Sequence, residues 1–145
     1  MLAAVVGAVL VAGTCSPSLE PGNAARGHEV VLKKCTFCHF VEGRGGLIAP
    51  PLEQAMRLAE EVVRDYEKRA ARLKTAEPKA YEAARGTIES VLAEPDPTRR
   101  LERWYDAYLR DTKFDNPLTR MGNVLMSDQQ RLDVVAWLMT RRSTP

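Results

Sequence analysis

Apolar residues recur at three- and four-residue steps over most of this chain, with polar residues between them, a pattern that predicts helices rather than strands. Asn23 is placed to cap a first helix, in which Ala24, Val30, Val31 and the pair Lys34-Cys35 set apolar atoms on one face. Glu42-Gly43-Arg44-Gly45-Gly46 interrupts the pattern, and the adjacent prolines of Leu47-Ile48-Ala49-Pro50-Pro51-Leu52 cannot lie inside a helix. Leu52, Met56, Ala59, Val62, Val63, Tyr66, Ala70 and Leu73 then mark one long amphipathic helix, which Glu77-Pro78 ends. Tyr81, Ala84, Ile88, Val91 and Leu92 form the next stripe. Asp96-Pro97, an N-cap followed by proline at the first helical position, opens a helix carrying Leu101, Trp104, Tyr105 and Tyr108. Asn116-Pro117 begins a loop, and Ser127-Asp128-Gln129-Gln130 is a capping box for a last helix running to about Arg142. No alternating pattern of strand length and no internal repeat occurs, so the predicted fold class is all-α.

The N-terminus departs from this pattern. Residues 2–12 are an unbroken run of Leu, Ala, Val and Gly, too short to span a bilayer comfortably and better read as the apolar core of a secretory signal. No Lys or Arg precedes Arg26, so the basic residues that ordinarily lead such a signal are missing. Cys15, followed by Ser16-Pro17-Ser18, resembles the cysteine of bacterial lipoproteins that becomes the lipidated N-terminus, although Thr14 stands where those signals prefer a smaller residue. Lipid anchoring at Cys15, cleavage near Gly13 and an uncleaved anchor are the alternatives. The expected organisation is a leader over residues 1–15, a linker over 16–22, and one domain over 23–145.

Composition narrows the function classes. A chain of 145 residues with 45% hydrophobic content fits one globular domain. With 21 basic and 19 acidic side chains the formal net charge is +2, which provides no broad footprint for nucleic acid or an anionic membrane.

The candidate chemistry lies in Lys33-Lys34-Cys35-Thr36-Phe37-Cys38-His39. Cysteines at i and i+3 share a helix face, and a histidine directly after the second lies within a turn of both. Two thiols so spaced can each add to a vinyl group of haem, with the imidazole directed at the iron, and C-x-x-C-H is accordingly read as c-type haem attachment. A redox dithiol belongs beside a strand and helix unit that this sequence lacks. A structural zinc would need Cys15 or His28 to complete four ligands. Cys15 belongs to the leader, and His28 lies on the same helix two turns before Cys35. A disulfide from Cys15 to Cys35 or Cys38 would destroy the motif. Thioether formation outside the bacterial cytoplasm agrees with the exported leader.

With these residues in place the chain resembles the class I cytochromes c. Gly22-Asn23-Ala24-Ala25-Arg26-Gly27 followed by C-x-x-C-H is similar to that family's first helix, with Gly27 where the two terminal helices cross. Ala49-Pro50-Pro51-Leu52 is similar to its Gly-Pro-x-Leu, which implies that Pro50 O accepts from His39 Nδ1 and that Leu52 contributes to the haem pocket. The resemblance extends over residues 101–138, where Trp104 matches an aromatic near the haem and Trp137 one that packs against the first-helix glycine. Met121 and Met126 both precede the last helix. Met121 stands six residues before Ser127, a spacing that assigns it the axial role, while Met126 reads as a core residue. Two features depart from the family: Gly122 follows Met121 where Pro is usual, and a helical insertion occupies about residues 53–94.

The resemblance implies one covalent haem c on Cys35 and Cys38, iron ligated by His39 and Met121, and one-electron transfer rather than catalysis. It also implies redox partner proteins, membrane-associated, with the protein in the periplasm or on the outer face of the cytoplasmic membrane. Lys33, Lys34 and Arg44 could contribute to a docking surface. Two alternatives accompany this reading: a haem subunit held in a membrane oxidoreductase, with the middle helices as its docking face and Cys15 as its anchor, and an open-site haem protein binding a gas or peroxide. Against the second, the spare histidine, His28, is on the proximal helix.

Overall fold

The computed structural model describes residues 19–142, so the leader, with the lipidation candidate Cys15, lies outside the described residues. Among the described residues six helices form: α1 (Ala24–Lys34), α2 (Leu52–Arg64), α3 (Tyr66–Ala76), α4 (Pro78–Leu92), α5 (Pro97–Arg110) and α6 (Asp128–Thr140). A minimal antiparallel hairpin, β1 (Phe40–Val41) with β2 (Arg44–Gly45), pairs Phe40 with Gly45 and Val41 with Arg44. This is the all-α architecture that the apolar periodicity predicts, and α2, α3 and α4 occupy the segment where added helices were expected.

Side-chain caps account for three of the six helix starts among the described residues. Asn23 Oδ1 accepts from Arg26 N, Asp96 Oδ1 from Arg99 N, and Ser127 Oγ from Gln130 N while Gln130 Oε1 accepts from Ser127 N. Each such cap satisfies an amide that has no partner within its helix and stabilises by about 1 kcal/mol. The long helix expected from Leu52 through Leu73 is two helices, because Asp65, at φ −112° and ψ 35°, leaves the helical region. No proline or glycine marks this break. The apolar spacing runs through it unchanged, since both halves bury their stripes, but against different neighbours: α2 packs on α5 and β1, and α3 chiefly on α4. Tyr66, the first residue after the break, is fully buried.

The two terminal helices cross at closest approach. A Cβ on Gly27 would lie 1.9 Å from Asp133 O and 3.0 Å from Trp137 Cβ, so only glycine lets α1 and α6 meet there. Asp133, itself buried, draws the junction together: its carboxylate accepts from Asn23 N at 2.7 Å, from Arg26 Nε at 2.8 Å and Nη2 at 3.1 Å, and from Gln129 Nε2 at 3.2 Å. The Arg26 guanidinium, foremost, holds the carboxyl below its ordinary pKa. Glu42, at the hairpin tip with φ 48°, bonds His28 and Arg141, while the His28 ring stacks on Trp137 at 5.5 Å. The hairpin is thereby tied to both terminal helices. Val31, Met56, Tyr66, Ile88, Trp104 and Val134, one from each helix, belong to one cluster of buried side chains.

Candidate functional site

α1 delivers the cysteines at its C-terminal end. Cys35 is the C-cap, with its N–H bonded to Val31 O at 2.9 Å, and the next turn continues through Cys38 N to Cys35 O at 3.2 Å and His39 N to Cys35 O at 2.9 Å. These bonds keep both thiols and the imidazole on one short, hydrogen-bonded turn. The glycine-rich segment then wraps over it: Gly46 N bonds Thr36 O at 2.8 Å and Ala49 N bonds Cys38 O at 3.0 Å. Gly45, at φ 114°, approaches so closely that a Cβ there would stand 2.2 Å from His39 O. The glycines noted in the sequence as an irregular stretch are therefore what lets one backbone cover another.

His39 is buried, and its Nδ1 lies 2.7 Å from Pro50 O. A carbonyl oxygen can only accept, so the ring proton sits on Nδ1 and the Nε2 lone pair is left for a metal. Pro51 has no N–H, adopts φ −47° and ψ 143°, and leads directly into α2, which is how Pro50 O comes to face the imidazole. Leu52, the first residue of α2, is half-buried against the core. Cys35 and Cys38 are both free thiols. Burial, with a smaller contribution from Cys38, pushes the Cys35 thiol up to about 11, so it is neutral near pH 7 rather than the reactive thiolate of a redox dithiol. Among the described residues no group of three His, Cys, Asp or Glu converges on a metal-ion position, and His28 is instead bonded to Glu42. A zinc site completed by His28 finds no support among the described residues, and Cys15 lies outside them.

Residues 111–127, the segment joining α5 to α6, carry Met121. Buried Thr112 anchors it: its N–H donates to Asn123 Oδ1 at 2.9 Å, and its hydroxyl is 2.9 Å from both Met121 O and Asn123 Oδ1. The Tyr108 hydroxyl meets Thr119 Oγ1 at 3.4 Å, and Lys34 Nζ donates to Leu125 O at 2.6 Å, bringing the segment to the end of α1 where the motif lies. Met126 packs against the core, whereas half-buried Met121 is held by its carbonyl and is not among the core-packed residues. Trp104 is buried, stacks on Tyr108 at 4.8 Å, and donates from Nε1 to Asp115 Oδ2 at 2.8 Å. Sequence reasoning missed four polar residues: Thr112 and Asp115 just before the loop expected from Asn116-Pro117, and Thr119 and Asn123 within it. No local signal distinguishes a buried Thr or Asp there from an exposed one.

The residues present suit haem. Leu47, Ile48, Leu118 and Leu125 are 83%, 77%, 82% and 88% exposed, on the loops flanking His39 and Met121. One exposed leucine is ordinary, but four large apolar side chains on the two loops beside paired thiols provide packing for a broad apolar group. Two thiols on one turn suit thioether attachment at the vinyl groups of haem, and an imidazole with a free Nε2 is a ligand of the kind its iron takes. Among the described residues no helix is long and apolar enough to cross a membrane.

The helical fold and the Cys35, Cys38 and His39 turn fit a haem protein of the helical electron-transfer class. The chain belongs to the cytochrome c family, whose model matches residues 24–142. No curated protein and no solved structure matches the chain significantly.

Proposed function

We propose that this protein is a one-electron carrier in which Cys35 and Cys38 hold one haem c and His39 and Met121 are the axial ligands. The observation that carries the reading is the His39 Nδ1 to Pro50 O bond beside two thiols on the same turn. Bound haem supplies an iron centre that gains and loses one electron. The chain's own residues decide what else that centre can do. Pro50 holds the imidazole's orientation and increases its basicity. Met121 offers a soft thioether, which favours the reduced state and raises the potential. Thr112, bonded to Met121 O and to the Asn123 side chain, restrains the chain at that residue and just after it. With both ligands engaged, no position is left for a substrate, and the function is transfer between redox partner proteins.

The test is spectroscopic. The protein matured with its haem should show a sulfur-to-iron charge-transfer band in the ferric state and resist carbon monoxide when ferrous. Met121→Ala should lose the band and bind carbon monoxide. A wild-type protein without the band that takes up carbon monoxide readily would overturn the assignment of Met121.

A further inference from the structure

Contacts from within the 111–127 segment, from α1 and from α5 hold it in place. A further one comes from α3. Asp115, whose side chain is 2% exposed, receives Arg69 Nε at 3.1 Å on Oδ2 and Arg69 Nη2 at 3.3 Å on Oδ1, while Trp104 Nε1 donates to the same Oδ2 at 2.8 Å. The two-pronged guanidinium contact fixes direction as well as distance, which a single ammonium contact would not do. From Trp104 the chain of contacts continues by stacking to Tyr108, whose hydroxyl reaches Thr119, two residues before Met121. Tyr66, also on α3, is fully buried, and that burial, helped by Asp115, pushes its pKa up. A buried, hydrogen-bonded ion pair adds little net stability over an apolar contact of the same shape, but it punishes displacement of either partner. Its use here is positional.

We propose that α3 braces the axial loop: Arg69, through Asp115 and Trp104, positions the segment bearing Met121, so the α2 to α4 excursion controls how firmly the sulfur is held. Arg69 and Asp115 are positioning residues, and the inference rests on Met121 being the ligand. It gives the excursion a task inside the redox site. With Gly122 after Met121, the loop lacks the stiffness a proline would supply, and an external brace takes over that role.

The experiment uses the haem-containing protein and the variants Asp115→Asn, Arg69→Leu and Arg69→Lys, with Arg100→Leu as control. Arg100 pairs with Glu67 and so also ties α5 to α3, and the other hydrogen bond of its guanidinium is to Glu94 O, outside residues 111–127. The expected result is that Asp115→Asn and Arg69→Leu keep helical circular dichroism and covalent haem, yet weaken the charge-transfer band and accelerate carbon monoxide uptake by about tenfold, the scale on which groups behind a metal ligand act. Arg69→Lys should recover part of the band, and Arg100→Leu should leave band and uptake as in wild type. Hydrogen exchange at the Thr112 and Thr119 amides should quicken in Arg69→Leu while α6 amides stay protected. Variants that melt lower but retain the band, the carbon monoxide resistance and the exchange rates would overturn the brace. Absence of the band in wild type would instead overturn the Met121 assignment. Amide exchange would then decide the brace alone, faster exchange confined to residues 111–127 supporting it and unchanged exchange rejecting it.

Discussion

Gly45 illustrates how a residue with no side chain shapes this site. Its φ of 114° is in the region that L side chains rarely adopt, and a Cβ would meet His39 O, a backbone atom that cannot rotate away. Gly45→Ala should therefore destabilise by more than about 1 kcal/mol and lower the yield of covalently attached haem, read from a thermal melt and from the haem absorbance per mole of protein. Tyr105 predicts the opposite sign. Its hydroxyl is buried without a hydrogen-bond partner, and burial pushes its pKa up. Removing a desolvated, unpaired hydroxyl while keeping the ring should be neutral or stabilising by up to about 1 kcal/mol, so a clear fall in the denaturation midpoint of Tyr105→Phe would contradict this account.

Among the elements, the α1–α6 crossing is the contact with least tolerance. Gly27→Ala places a methyl carbon 1.9 Å from Asp133 O, and the helices must separate to admit it. The expected cost is about 1–3 kcal/mol, the usual range for overpacking, and urea unfolding with an unchanged m-value would measure it. The same crossing was readable beforehand only through the resemblance to class I cytochromes c, which implies a first-helix glycine, Gly27, against an aromatic of the last helix, Trp137. The break at Asp65 was not readable. A helical stripe persists across it, and only the competing demands of α5 on one half and α4 on the other reveal where the chain turns.

For the whole molecule, Asp133 links residues near both ends of the described chain, and its charge makes that link pH-dependent. Its folded-state pKa is depressed, chiefly by Arg26, below an unfolded value near about 3.9. Its contribution is therefore complete above about pH 4 and is lost as the pH falls through the lower folded value. Asp133→Asn should be less stable than wild type at pH 6, and the difference should narrow steadily toward pH 3. A gap independent of pH, followed by chemical denaturation at several pH values, would show that the charge plays no part.

Short-range rules made much of this protein legible in its sequence. Helix caps, the Pro50-Pro51 stop, and the Cys35, Cys38 and His39 cluster all depend on residues within four positions of one another, and backbone geometry alone relates them. Long-range polar contacts were decided only by the tertiary structure. Arg69 meets Asp115 across 46 residues and Arg26 meets Asp133 across 107, and each of these side chains reads in sequence as one more solvated charge. The physical reason is that burying a charge requires a partner with the right geometry, and which partner arrives is settled by how the helices pack rather than by any local pattern.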